Sequence, residues 1–316
     1  MFEWNIAQAD KYCLHDWLEL NFLIFRVQNS HAKKMIFGKY LAVVNDVHLI
    51  KFNLDGAPAG HCSVVIQNIY FSSKLFKVAF VTSVYIYPDH RRKGFLKPLM
   101  MKVDEVAKNS GCFATLVIAR KAVGDMYFKQ GYRGFSIFPK ISVKPERNFS
   151  DSSQFKLRHI DKLTLNETYI ETYKGLNGTL ERSELSWNSI VDGAHHGNHE
   201  FLINNTNNKF SYIIVKGDTV IELAGDSENL CAMLENSNVS EIEITHDHPT
   251  FNSILSARPS KFTYRPEPKE GHLIKIYNDK LPIVFDLNNL LPSVCFERNI
   301  FSKESKLINI LYLNQW

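Results

Sequence analysis

The chain has 316 residues, 45% hydrophobic and 22% charged, which excludes an intrinsically disordered protein and supplies apolar material for two cores of ordinary size. Its net charge of +4 hides an uneven split: residues 1–150 hold 21 Lys/Arg against 11 Asp/Glu (+10), while 151–316 hold 16 against 22 (−6). The five cysteines are scattered and never form a Cys-x-x-Cys pair, no apolar run reaches the roughly 20 residues of a membrane span, and the first residues lack the basic-then-apolar order of an export signal, so reduced thiols in a cytoplasm are expected rather than disulfides, zinc or membrane insertion.

Residues 5–40 carry helical spacing, with Leu14, Trp17, Leu18, Phe22 and Phe25 near one face, and are expected to form one or two amphipathic helices. Three runs rich in β-branched and aromatic residues follow, 47–53, 61–70 and 75–87, separated by turn chemistry at 54–60 and at Ser72-Ser73-Lys74, which implies an antiparallel meander. From 94 to 110 the period changes, with Leu96, Leu99, Val103 and Val106 on one stripe and Gly111 as the stop. The apolar run 113–119 is a buried strand, a short helix lies near 122–130, and strand, helix, strand in that order implies a right-handed crossover with a parallel pair. After a strand at 135–143 the segment 145–154 reads as a linker. The second half repeats the coarse order: strands at 200–204, 210–216 and 219–224, a helix at 226–236 capped by Asp226, and a strand at 241–245.

The stretch TSVYIYPDHRRKGFLK, residues 82–97, puts three consecutive cations where a helix begins. A helix N-terminus already carries about half a positive charge, so cations there call for an anion. A strand end at Tyr87, a turn at Pro88-Asp89, the cations Arg91, Arg92, Lys93 and Lys97, and Gly94, which lets backbone approach a ligand, together form an anion cradle. Neither GxxxxGK[ST] nor GxGxxG is present, so the nucleotide P-loop and the dinucleotide fingerprint are excluded.

The same stretch resembles the acetyl-coenzyme A loop of the GNAT N-acetyltransferase superfamily, [Q/R]-x-x-G-x-[G/A], matched by Arg91-Arg92-Lys93-Gly94-Phe95 and departing at Leu96. With Pro88, His90, Arg91 and Arg92 before the glycine and Leu96-Lys97 after it, the segment from Val81 is most similar to the enhanced-intracellular-survival type of tandem GNAT enzyme, V-T-x-V-x-V-x-P-x-H-R-R-x-G-L-L-R. The resemblance is good from about 75 to 140 and thin beyond. It implies that the backbone of Val84, Tyr85 and Ile86 pairs with the pantetheine arm of acetyl-CoA, and that Arg91, Arg92, Lys93, Gly94, Phe95, Leu96 and Lys97 hold the pyrophosphate.

A second match, Tyr127-Phe128-Lys129-Gln130-Gly131-Tyr132, is similar to the family's Y-x-x-x-G-[F/Y], which implies that Tyr127 protonates the departing thiolate; Tyr132 reads as core. A phenol of pKa about 10 suits a thiolate whose thiol titrates near 8.5. The strand 75–87 holds no Asp or Glu, so the base many relatives carry there is missing; His61, Asp55 and Glu3 are possible substitutes, each equally a surface residue, and the C-terminal carboxylate of Trp316 is a further one by resemblance. The loop Ala224-Gly225-Asp226-Ser227-Glu228 is acidic where its counterpart is basic, so the second half reads as non-catalytic. Asp192, Glu200, Glu222, Asp226 and Glu228 are expected to form an acidic wall that draws in a cationic amine. The groups His195-His196-Gly197-Asn198-His199 and His246-Asp247-His248 lack a His-Glu-x-x-His helix and read as solvated loops, so no metal is expected.

These readings give an α/β fold (α+β mixed sheet) of two tandem GNAT-like domains: residues 1–147 catalytic and binding acetyl-CoA, residues 155–316 degenerate and shaping the acceptor site. The expected activity is acetyl transfer from acetyl-CoA to a primary amine by direct attack, on a small-molecule amine or lysine-type acceptor, in the cytoplasm, without metal, nucleic acid or membrane. A catalytically silent acyl-CoA-binding protein and a basic nucleic-acid-binding module are the alternatives.

Overall fold

Residues 5–8 extend a strand instead of opening a helix. β1 (Phe2–Gln8) lies antiparallel to β2 (Val47–Leu54), and its Trp4 packs on Phe52 with ring centroids 5.1 Å apart. The helical pattern starts at α1 (Lys11–Ile24), where the Asp10 carboxylate accepts the backbone N–H of Tyr12 and Cys13, both at 2.8 Å. Steps of three and four then place Leu14, Trp17, Leu18, Asn21 and Phe22 in the interior. The computed structural model describes residues 2–28, 30, 33, 36–37, 40, 44–71, 73–118, 124–132, 136–143, 161–175, 179–195, 199–206, 209–237, 239–243, 248, 250, 253, 262–269 and 272–277. The expected linker at 145–154 and Trp316 lie outside them.

The expected meander is present as β2, β3 (Ala57–Phe71) and β4 (Lys74–Ile86). Asp55 and Gly56 turn the chain between β2 and β3, both at positive φ, as a two-residue hairpin in a right-twisted sheet demands. Next come α2 (Leu96–Asn109), β5 (Ala114–Ile118) and the short α3 (Gly124–Phe128); β5 runs parallel to β4. One core fills the layer under α1, with Leu14, Trp17, Tyr40, Val65 and Phe80; the other lies under α2, with Leu99, Val103, Cys62, Val81 and Tyr127.

The remaining elements are β6 (Ser136–Val143), α4 (Lys162–Tyr173), β7 (Thr179–Leu180), α5 (Glu184–His195), β8 (Glu200–Thr206), β9 (Lys209–Lys216), β10 (Thr219–Gly225), α6 (Ser227–Glu235), β11 (Glu241–Glu243), β12 (Phe262–Lys269) and β13 (His272–Ile276). The first sheet runs β1-β2-β3-β4-β5-β13, with β7 pairing the far end of β3; the second runs β12-β6-β11-β10-β9-β8. The halves thus exchange strands: β13, from the end of the described chain, pairs antiparallel with β5, and β6, from the first half, pairs antiparallel with β11.

Side chains fasten the exchanged strand. Lys275 of β13 donates to Asp104 of α2, the Tyr277 hydroxyl donates to Asp104 at 2.8 Å and shares a proton contact with Thr115, and Leu273 and Ile274 are buried in the two cores of the first sheet. The second half has its own buried polar link. Arg182 holds Glu222 with two hydrogen bonds of 2.8 and 2.5 Å, Tyr212 donates to the same carboxylate at 2.7 Å, and the guanidinium lies 4.0 and 4.6 Å from the ring centroids of Tyr169 and Trp187. Cys13, Cys62, Cys112 and Cys231 are free thiols. Among the described residues no helix is long and apolar enough to cross a membrane, and no group of three or more His, Cys, Asp or Glu is placed to hold a metal.

Candidate active site

β4 is regular as far as Thr82 and then breaks. Thr82 pairs with Ser63 and Tyr85 with His61, so Ser83 and Val84 together oppose Cys62; Ser83 takes φ +53 to form this bulge. On the other side, parallel pairing with β5 begins at Val78–Ala114 and ends at Val81–Val117. Beyond that point, among the described residues, Val84, Tyr85 and Ile86 of β4 have no ladder partner on the β5 side. A strand edge in that state presents N–H and C=O groups to whatever enters alongside it.

The chain leaves β4 through a single turn, with His90 N–H donating to Tyr87 O at 2.9 Å and Arg91 N–H to Pro88 O at 3.2 Å. Arg91 folds back, its Nε donating to Ile86 O at 3.0 Å and its guanidinium standing 5.3 Å from the Tyr85 ring centroid. Arg92 and Gly94 both adopt left-handed φ, +62 and +83, and the space a Cβ would take on Gly94 is open. Helix α2 begins two residues later than its sequence pattern suggested. Phe95 precedes it with no side-chain cap, and the N–H groups of Arg92, Lys93, Gly94 and Leu96 have no hydrogen-bond partner among the described residues. Pro98 sits in the first turn, where a missing N–H costs nothing. Unclaimed amides, a helix dipole and the exposed cations Arg91, Arg92, Lys93 and Lys97 converge here, with Phe95 and Leu96 packed against the core behind them.

Tyr127 comes from α3, which ends in a turn where Gly131 takes φ +89 and the N–H of Tyr132 reaches back to Tyr127 O at 3.2 Å. This turn explains the spacing of tyrosine and glycine in the motif. Tyr127 is 6% exposed and lies in the α2-side core with Cys62 and Val117, edge-on to Tyr132 at 5.7 Å. Burial, reinforced by the neighbouring Cys62 thiol, pushes its phenol above the ordinary tyrosine range, so it stays protonated at neutral pH. Tyr132 is fully buried, in line with its reading as core.

Other readings are corrected. His61 is not a surface residue: it is 2% exposed, on the α1 face of β3, stacked by Tyr85 at 5.5 Å and met edge-on by Trp17 at 4.7 Å. The Tyr85 side chain, treated above only as a backbone donor, joins an aromatic group with Phe25, His61 and Tyr87. Asp55 sits in the exposed hairpin turn and Glu3 on the exposed edge strand. The acidic wall does not form as expected, because Glu222 is fully buried against Arg182, and Asp226 caps α6 and pairs with Lys209 at 2.8 Å; Asp192, Glu200 and Glu228 are exposed. His248 is no solvated loop residue but is buried, its Nε2–H donating to Leu223 O at 3.0 Å while Nδ1 accepts from Thr250. His199 contacts Ile190 O at 2.8 Å, and His196 and His246 lie outside the described residues.

Residues 5–134 match the family model described as an acetyltransferase (GNAT) domain. No curated protein sequence matches the chain. Among solved structures, the chain is similar to a probable N-acyltransferase of unknown function from Enterococcus faecalis V583, with a TM-score of 0.63 at 11% identity over 87% of this chain and 73% of that one. It is also similar to a GCN5-related N-acetyltransferase from Kribbella flavida, at 0.60 and 14% over 87% and 72%, and to Eis1 from Mycobacterium abscessus, at 0.58 and 14% over 87% and 73%. These likenesses extend the shared fold well past residue 134, through the second sheet. The domain match spans the bulge, the basic loop and Tyr127, so residues 5–134 form a domain of the acetyltransferase (GNAT) family, and the chain shares its fold with the solved structures named above.

Proposed function

We propose that the protein transfers an acetyl group from acetyl-CoA to a primary amine on a small molecule, by direct attack, in the cytoplasm and without a metal. The observation that carries this reading is the junction of two features: among the described residues the β4–β5 ladder ends at Val81–Val117, and the unladdered end of β4 leads into an uncapped, cation-flanked helix start. Acetyl-CoA is elongated, with an amide-rich pantetheine arm and an anionic pyrophosphate. In this reading the backbone of Val84, Tyr85 and Ile86 pairs with the arm, and the segment Arg91–Lys97 receives the pyrophosphate on its amides, Gly94 giving the approach and Arg91, Arg92, Lys93 and Lys97 the charge. The thioester then lies at the bulge, where a backbone N–H near Val84 stabilises the tetrahedral oxyanion, and Tyr127 gives its proton to the leaving sulfur.

Residues 1–147 would act as the catalytic domain and 155–316 as a degenerate second domain that shapes the acceptor side. Because β13 completes the first sheet, the two are expected to fold together, and a chain cut near 148 should neither fold nor bind. The resemblance to Eis-type enzymes favours the same two-part arrangement.

A second reading, a silent acyl-CoA-binding protein, is favoured by the absence of any carboxylate on β4 and by the depth at which Tyr127 sits. Both readings require the cofactor. Acetyl-CoA should raise the melting temperature of the full chain, as any ligand of the folded state alone does, and Arg92→Glu with Lys93→Glu should remove the rise. Thiol release across a panel of amines then separates enzyme from sensor.

A further inference from the structure

Lys51, His61 and Tyr85 stand in one row across β2, β3 and β4, Lys51 opposite His61 and His61 opposite Tyr85. Trp17 covers the row from α1, and Tyr87 and Phe25 flank the Tyr85 ring at 5.2 and 6.2 Å. Tyr85, Tyr87 and Phe25 are half-buried, so the group reaches solvent at the end of β4.

Three polar atoms of this layer, Trp17 Nε1, Asn21 Oδ1 and His61 Nε2, are buried with no hydrogen-bond partner among the described residues. Buried polar atoms are nearly always bonded, so a donor, an acceptor and an imidazole left open in one helix–sheet layer point to a guest. The charges around the layer are cationic. Lys51 stands 5.3 Å from the Trp17 ring centroid and Arg91 5.3 Å from that of Tyr85, and neither has an ion-pair partner among the described residues. Burial and, second, Lys51 push the His61 imidazole down to about 4, so it is neutral at pH 7.

We propose that this layer is the acceptor site, that the acceptor is an amine on an aromatic or other flat apolar body with no second cationic centre, and that its nitrogen hydrogen-bonds His61 Nε2. The inference rests on the acetyl-CoA reading. A neutral imidazole of low basicity deprotonates only a nitrogen already bonded to the acyl carbon, so the amine arrives unprotonated. The N–C bond forms, His61 takes the nitrogen's proton, the C–S bond breaks as Tyr127 gives its proton to sulfur, and solvent carries the proton from His61 back to Tyr127. The Tyr85 ring covers the imidazole and is displaced by the acceptor.

The test is steady-state thiol release by the full chain with saturating acetyl-CoA and two probes, phenethylamine and spermidine, beside the acetyl-CoA melting shift. The expected result is a kcat/KM at least about tenfold higher for phenethylamine, and a loss of about 100-fold or more in His61→Gln that leaves the melting shift unchanged. A preference for spermidine, or a His61→Gln kcat/KM within about threefold of wild type, overturns the proposal. His61→Phe, which keeps the ring stacking, replaces the glutamine variant if that does not fold. No melting shift in the wild-type chain overturns the donor reading itself, whereas a normal shift without phenethylamine turnover overturns the acceptor site alone.

Discussion

The two halves repeat one local geometry and finish it in opposite ways. In the first, β4 carries a bulge at Ser83, has no parallel partner after Val81 among the described residues, and runs into α2; in the second, β10 carries a bulge between Val220 and Glu222, has no parallel partner after Val220 among the described residues, and runs into α6. In the second half the opened edge is already occupied. The Tyr173 hydroxyl donates to Leu223 O at 2.6 Å and accepts Leu223 N–H at 3.3 Å, His248 also donates to Leu223 O, and Thr172 accepts the N–H of Gly225 at 3.0 Å. The helix start is occupied as well: Asp226 accepts the N–H groups of Glu228 and Asn229, and Lys209 neutralises it. The backbone geometry therefore does not by itself make a cofactor site. Side chains decide whether the edge and the helix start stay available to a ligand or are consumed in folding.

If the second site is structural, damage to it should cost stability rather than cofactor binding. The largest effect is expected for Arg182→Ala, which strands the Glu222 carboxylate in the interior; loss of one partner of a buried pair costs about 3–5 kcal/mol, read as a fall in urea midpoint, and Arg182→Met with Glu222→Leu should recover much of it. Tyr127→Phe should do the reverse in the first site, lowering turnover by about 10²–10⁴ with acetyl-CoA affinity nearly intact; wild-type turnover would make Tyr127 a packing residue.

The contrast extends to the two buried histidines. His248 has partners on both ring nitrogens, whereas His61 is held neutral without one at Nε2. The folded pKa of His61, about 4, lies below the unfolded value near 6.5, so its contribution is fully present above pH 6.5 and is lost as pH falls towards 4. The loss is of order 3 kcal/mol, and the pH dependence of the urea midpoint between 6.5 and 4 should flatten in His61→Phe. The smallest effect is expected for Asp226→Ala, about 1 kcal/mol for a lost helix cap, without any change in cofactor binding. Enhanced binding of acetyl-CoA in that variant would show that the second helix start is closed by its cap alone.

What the sequence made legible is what short-range patterns encode. The stripe Leu96, Leu99, Val103, Val106 specified α2 within two residues, the alternating and apolar runs specified β2 to β5 and β8 to β11, and Asp226 announced the start of α6. The run of cations with Gly94 located the basic loop because the anomaly is local. β1 was missed because a mostly exposed edge strand carries little apolar signal. The exchange of β6 and β13 pairs residues about a hundred or more positions apart, which no local period contains. His61 read as surface because a histidine in a strand run says nothing about which face is covered, and only the placement of α1 decides it. Glu222 read as part of an acidic wall because its partner, Arg182, is 40 residues away.

The central claim, that one of the two like-built sites is open and the other closed, is tested most directly by calorimetric titration of acetyl-CoA into the full chain. The expected stoichiometry is one per chain, abolished by Arg92→Glu with Lys93→Glu and unchanged in Asp226→Ala. Two equivalents, or one equivalent that survives reversal of the first loop's charge, would contradict the account.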